Sequence, residues 1–239
     1  MFPFEKRLTF QNPPLEVWAA DVIEHVGPLL TPERRQKIEH VVKRRTFTPV
    51  VVLEDVYDRG NASAVFRSAE AMGFGQVHMI ELGEKIKESQ RTTAGADKWV
   101  EIKRWKSTKA CIDELKRQGK KIVVTHLAPT SVPIDEFDFT QGSALVLGNE
   151  KMGVSPEMVA AADACVVLPM RGFVQSYNIS VAGALSLWHI MKDRERRRGR
   201  HGDLTEEQQQ ILTAMYYMRT QDSAEQTLRE LKSRGVIKD

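Results

Sequence analysis

The chain has 239 residues and a mass of 27.1 kDa, is 41% hydrophobic and 28% charged, and carries a formal net charge of +3. That length suits one substantial core with room for terminal extensions; no apolar run approaches the roughly 20 residues that cross a bilayer, and the opening "MFPFEKRLTF" has no signal-peptide core, so a soluble, cytoplasmic α/β protein is expected. Its two cysteines, Cys111 and Cys165, fall in a helix-like and a strand-like pattern, which argues against a disulfide framework and predicts two buried thiols in a reducing compartment.

Residues 1–30 carry no pattern more specific than helical packing. "PERRQKIEHVVKRR" then reads as a helix, with Thr31 as its N-cap and Pro32 in its first turn. A strand over 49–56, "PVVVLEDV", gives way to a helix over 60–74. Strands follow over 76–82 and 99–105, separated by a Gly-, Thr- and charge-rich loop, 83–97, long enough to be functional or mobile. A helix over 107–118, strands over 121–126 and 143–148, a helix over 155–162, a strand over 165–170 and a long helix from Asn178 complete the alternation. The runs "VVVL", "IVVT" and "ALVL" are apolar throughout. They lack the period-two alternation of a half-buried strand, so they belong in a parallel sheet covered on both faces. The fold class is therefore α/β with a doubly wound parallel sheet. Two helices close the chain, "LTEEQQQILTAMYYMRT" and "SAEQTLRELKSRG", capped by Thr205 and Ser223. The expected organisation is a basic N-terminal helical extension over 1–46, a central domain over 47–197 and a C-terminal helical extension over 198–239.

Charge is distributed unevenly. Residues 33–45 and residues 192–200 each hold six Lys or Arg against two acids, a local charge of +4 in both, and the remainder of the chain sums to −5. Two basic runs bracketing a slightly acidic domain suit a polyphosphate partner, because Lys and Arg replace condensed counterions on nucleic acid. The alternative is a pair of solvated helix faces.

Common cofactor signatures are missing. "GFG" at 73–75 follows a helix and precedes a strand, the reverse of a dinucleotide fingerprint. No Gly-rich turn ends in Gly-Lys-Ser/Thr, no G-x-S-x-G occurs, and the six histidines show no metal-ligand spacing. His126, beside a strand end, is the histidine best placed to lie near a site. Three stretches at strand-to-helix turns remain. In "RGNASAVFRSA", Asn61, Ala64 and Arg67 are three apart and share a helical face. In "LVLGNEKMGVS", Gly148 ends an apolar strand and Glu150 follows. In "LPMRGFVQSYNISVA", polar Gln175, Ser176 and Asn178 sit between a strand and a small-residue helix, where burial is costly without hydrogen bonds. Ligands of open α/β sheets bind outside the carboxyl ends of the strands, and all three stretches converge there if the strands are parallel.

In this order, "N-x-x-A-x-x-R", "L-G-N-E-K-x-G-V-S" and "L-P-M-x-G-x-V-Q-S-Y-N-I-S-V-A" resemble the three motifs of the SpoU, or TrmH, branch of the SPOUT RNA methyltransferases. The resemblance covers about residues 47–197. The basic N-terminal helix, "DKWV" at 97–100 and "VVTHL" at 123–127 are most similar to members that methylate the ribose 2′-oxygen of guanosine 18 in the D-loop of tRNA. It implies a C-terminal trefoil knot, a homodimer, S-adenosylmethionine as cofactor, tRNA as partner, and no metal requirement. Ribosomal RNA, a tRNA wobble ribose, or catalytically silent RNA binding are the alternatives within the same fold.

By the same resemblance, backbone groups of Thr125, Gly148, Leu168 and Tyr177 hold the cofactor; Tyr177 stands where Leu is common in the family. Arg67 is the catalytic group, either assisting deprotonation of the 2′-hydroxyl or clamping phosphate while solvent or phosphate takes the proton. Arginine's pKa above about 12 favours the second role. Asn61 orients Arg67 or the ribose, Glu150 positions its loop, and Ser176 and Asn178 contact the nucleotide. Lys98, the run Lys43, Arg44 and Arg45, and the run Arg196, Arg197 and Arg198 are the expected RNA contacts. Ala182, Gly183 and Ala184 suit tight threading, a dimer seam, or ordinary helix packing.

Overall fold

The computed structural model describes residues 2–83 and 95–238, so most of the 83–97 loop, residues 84–94, lies outside the described residues. The chain divides into two compact units, one formed by residues 46–201 and the other by residues 2–45 together with 202–239.

The central unit contains strands β3 (Pro49–Glu54), β4 (Gln76–Ile80), β5 (Glu101–Trp105), β6 (Lys121–Thr125), β7 (Val132–Pro133), β8 (Ser143–Leu147) and β9 (Ala164–Val167). They form one sheet in the order β5-β4-β3-β8-β6-β9-β7, with every pair parallel. Its helices are α3 (Arg59–Ala71), α4 (Thr108–Arg117), α5 (Pro156–Ala160) and α6 (Ile179–Arg198).

The apolar strands are explained by two cores. Val51, Leu53, Leu145 and Leu147 join Val65, Phe66, Leu187 and Ile190 of α3 and α6 on one face. Their chain neighbours Val50, Val52, Ala144 and Val146 join Cys111, Leu115 and Met158 of α4 and α5 on the other. A strand whose alternate residues are both covered has no polar positions left to alternate. Gly183 allows α6 to press on α3, since a Cβ there would lie 2.8 Å from Val65 Cγ2. Cys111 is buried and Cys165 half-buried, and neither is in a disulfide. Burial, then the nearby Glu54 carboxylate, pushes the Cys111 thiol up to about 12, so it stays protonated and unreactive.

The terminal unit holds the antiparallel pair β1 (Arg7–Phe10) and β2 (Leu15–Trp18), followed by α1 (Ala19–Val26), α2 (Pro32–Val42), α7 (Glu206–Thr220) and α8 (Ala224–Ser233). The two strands lie in a stretch that the sequence left without assignment. Thr31 caps α2 by accepting from Arg34 N at 3.2 Å. Thr205 forms a capping box with Gln208 at the start of α7. Ser223 differs from expectation: it occupies the N-cap position of α8 without a side-chain cap, and its Oγ accepts from Gln221 Nε2 instead. No helix among the described residues is long and apolar enough to cross a membrane.

Candidate active site

Three turns meet at the carboxyl ends of β3, β8 and β9, and one carboxylate ties two of them directly. Glu150, in the loop after β8, accepts from Tyr57 N at 2.9 Å, Asp58 N at 3.3 Å and Asn61 Nδ2 at 2.9 Å, all from the β3–α3 turn. Asn61 passes the connection on, since its Oδ1 accepts from Asn178 Nδ2 at 3.1 Å. Asn178 Oδ1 in turn caps α6 by accepting from Ser180 N at 2.9 Å. Burial pushes the Glu150 carboxyl up, but the bonds from Asn61, Tyr57, its own backbone and Asp58 outweigh that and hold it below the ordinary carboxylate range.

The loops are built for this meeting. Asp55 adopts a left-handed backbone, φ 48°, which turns the chain sharply off β3. Asn149 Nδ2 donates to Asp55 O at 2.6 Å, and Asn149 and Gly153 exchange two backbone hydrogen bonds. Gly148 is required by contact: a Cβ there would lie 2.2 Å from the Gly153 carbonyl carbon. Below, buried Glu54 accepts from Ser155 N, Ser155 Oγ and Thr108 Oγ1, anchoring the far end of the same loop.

A cleft of about 600 Å³ opens beside this network. Thr125, Gly148, Leu168 and Tyr177 all line it, as do Glu150, Ser176, Asn178 and His126. Its apolar wall is supplied by Leu147, Val166, Leu168 and Ile179. Thr125 Oγ1 is engaged with Val146 O at 2.9 Å and Tyr177 Oη with Pro169 O at 3.2 Å. Those two residues therefore offer a ligand their backbone rather than their polar side-chain atoms.

Other expected site residues lie elsewhere. Asn61 is not a lining residue and reaches the cleft through its bonds to Glu150 and Asn178. Arg67 is exposed on α3, does not line the cleft, and makes no hydrogen bond or ion pair among the described residues. Lys98 is exposed, its Nζ 5.5 Å from the Trp99 ring centroid. Arg196 Nη2 and Arg197 Nε both pair with the buried Asp193 at 2.7 Å, and Arg198 is exposed. Lys43 and Arg44 are exposed in the terminal unit. Arg45 departs from the expected RNA-facing set, because it is 1% exposed with its guanidinium 5.9 Å from the Tyr216 ring centroid. A buried guanidinium cannot meet a phosphate. Sequence reasoning also passed over Asp58, whose carboxylate caps α3 by accepting from Asn61 N at 3.0 Å; an Asp just ahead of a helical run is a readable signal.

A parallel sheet carrying a cleft over the ends of its strands, with three motif turns cross-linked at the mouth, defines a class of α/β enzymes that binds its ligand at that edge. Residues 48–188 match the SpoU rRNA Methylase family, and the chain belongs to it. It is 38% identical over 174 residues to a tRNA (guanosine(18)-2′-O)-methyltransferase of Borreliella burgdorferi, covering 72% of this chain and 80% of that one. Among solved structures, the A. aeolicus TrmH/SpoU tRNA modifying enzyme superposes with a TM-score of 0.69 at 34% identity, over 77% of this chain and 95% of that one. An AdoMet-bound rRNA methyltransferase from Sinorhizobium meliloti superposes with a TM-score of 0.57 at 27% identity, over 65% and 59%.

Proposed function

We propose that this protein is a tRNA (guanosine-18) ribose 2′-O-methyltransferase that uses S-adenosylmethionine, acts in the cytoplasm and works as a homodimer with the family's trefoil knot. The observation that carries this reading is the Glu150–Asn61–Asn178 relay at the mouth of the cleft, on the same helix as an unneutralised Arg67. The cleft suits the cofactor: about 600 Å³ is in the range of cofactor sites, its wall is apolar, and Gln175 and Ser176 line it with side chains unpartnered among the described residues. When bound, S-adenosylmethionine supplies the electrophilic methyl group. Backbone groups of Thr125, Gly148, Leu168 and Tyr177 would hold it.

This chain's residues do the rest. A ribose 2′-hydroxyl is a poor nucleophile, so the developing negative charge on its oxygen must be stabilised. Glu150 is a poor candidate for the base, because three donors occupy its carboxylate and its carboxyl is held below the ordinary range. It positions Asn61. The Arg67 guanidinium stays charged and cannot accept a proton at neutral pH; it clamps an RNA phosphate and steadies the oxygen while phosphate or solvent takes the proton. The dimer is supported by the exposed apolar stripe Val181, Leu185 and Trp188 on α6, whose i, i+4, i+7 spacing makes one face for a second copy to cover.

The test is methyl transfer from labelled S-adenosylmethionine to unmodified tRNA, with the product mapped by its resistance to alkaline cleavage. One mark is expected, at guanosine 18. A mark at a wobble ribose, or on ribosomal RNA alone, would move the target; cofactor and RNA binding without transfer would replace the enzyme with a silent binder.

A further inference from the structure

Tyr57 is 72% exposed although its backbone belongs to the most tightly bonded turn of the site. Its N–H donates to Glu150 Oε2 at 2.9 Å, and its hydroxyl has no hydrogen bond among the described residues. Lys151 approaches from the neighbouring loop, with Nζ 5.2 Å from the Tyr57 ring centroid. That lysine is pinned too, through Lys151 N donating to Asn149 Oδ1 at 2.8 Å. Two motif loops therefore present one aromatic ring and one cation together, on backbones fixed by Glu150 and Asn149. An open aromatic ring held this firmly adds little to folding, because most of its surface stays in water.

A methyl-accepting nucleotide needs such a surface. Its ribose is reached only when the nucleotide is turned out of the folded RNA, and the base then loses its stacking neighbours. Aromatic faces replace that stacking for any base, and a nearby cation meets the adjoining phosphate. The ring stands one carboxylate away from Asn61, since Glu150 bonds both Tyr57 N and Asn61 Nδ2.

We propose that Tyr57, backed by Lys151, is the stacking platform for the base of the methyl-accepting nucleotide. This rests on the reading that an RNA ribose is the substrate. The ring, not the hydroxyl, carries the contact, so Tyr57→Phe should keep near-native kcat/KM for tRNA, while Tyr57→Ala should lose roughly ten- to a hundredfold. Lys151→Met should lose less. S-adenosylmethionine affinity, Tm and oligomeric state should stay unchanged in all three.

The deciding substrate is tRNA with an abasic ribose at the accepting position. With no base to stack, wild type and Tyr57→Ala should perform alike on it, both in single-turnover transfer and in equilibrium binding. A Tyr57→Ala loss that persists on the abasic tRNA would overturn the proposal in favour of a neighbouring base or protein contact. So would unchanged kcat/KM on ordinary tRNA, or a shifted oligomeric state. If wild type transfers no methyl group to any tRNA, the function has failed separately, and the binding comparison still decides whether the ring meets the base.

Discussion

Arg67 holds a permanent positive charge about 9 Å along α3 from Asn61, at 1.5 Å of rise per residue, and no described residue neutralises it. An exposed arginine without a partner adds little to stability, so its removal separates chemistry from folding. Arg67→Ala should abolish single-turnover methyl transfer at saturating enzyme while Tm and cofactor affinity persist. Arg67→Lys keeps the charge but loses the planar fork; a clamp that meets phosphate and ribose together should fail almost as badly, and near-native rates with Ala would remove Arg67 from the catalytic centre. At this scale much of the site could be read in the sequence. Asn61, Glu150 and Asn178 stand out as polar residues at strand-to-helix turns, yet nothing in their spacing tells that Glu150 accepts from two backbone N–H groups as well as from Asn61. That depends on the turn at Asp55, whose positive φ has no marker as clear as a glycine would be. Burial of Arg45 was equally hidden, because within "KRR" only tertiary packing distinguishes the third charge from the first two.

Among the strands, β4 carries a fully buried histidine that a string of apolar neighbours does not explain. His78 Nδ1 accepts from Trp105 Nε1 at 3.1 Å, and Nε2 lies 3.1 Å from Gln76 Oε1, so the fitting species is the neutral ring with its proton on Nε2. Burial above all, then Lys103 and Lys120, push its pKa from 6.5 to about 3. A folded value below the unfolded one means that the unfolded chain binds the proton first. The stability His78 contributes is complete above pH 6.5 and drains away as pH falls toward 3, on the order of 2 kcal/mol by pH 5. Urea unfolding at pH 7 and pH 5 should register that loss, and His78→Gln should flatten it; an equal slope in both proteins would assign the acid sensitivity elsewhere. In α6, by contrast, charge pattern misleads. "RERRR" reads as one basic face, but Asp193, with its side chain fully buried, takes Arg196 and Arg197 together with Phe139 N. Burial pushes the Asp193 carboxyl up and the bonds from Arg197, Arg196 and Phe139 more than offset it, holding it below the usual range. Neutralising those two arginines would strand a buried carboxylate, so a loss of RNA binding in such a variant would mix unfolding with lost contact.

On the scale of the whole chain, the parallel order of the sheet was open to sequence reading because apolar strands covered on both faces admit few other arrangements. The union of the two ends was not. Residues 2–45 and 202–239 form one unit through contacts between segments more than 150 positions apart, and β1 and β2 are only four residues each, too short for their alternation to stand out. That unit holds Lys43 and Arg44, both exposed, beside Arg45, which is buried against Tyr216. The three adjacent cations therefore make a controlled comparison. If the end of α2 meets tRNA phosphates, replacing Lys43 and Arg44 by Ala should weaken tRNA binding and make log K less steep against log salt by up to about 0.9 for each phosphate contact on duplex RNA, somewhat less on single strands. S-adenosylmethionine affinity should not move. Arg45→Ala should do the reverse, lowering Tm with the salt slope intact, because its guanidinium stabilises the unit from inside. Titrations at several salt concentrations, paired with thermal unfolding, separate the two patterns. A salt slope unchanged by the Lys43 and Arg44 replacements would return that run to the role of a solvated helix end.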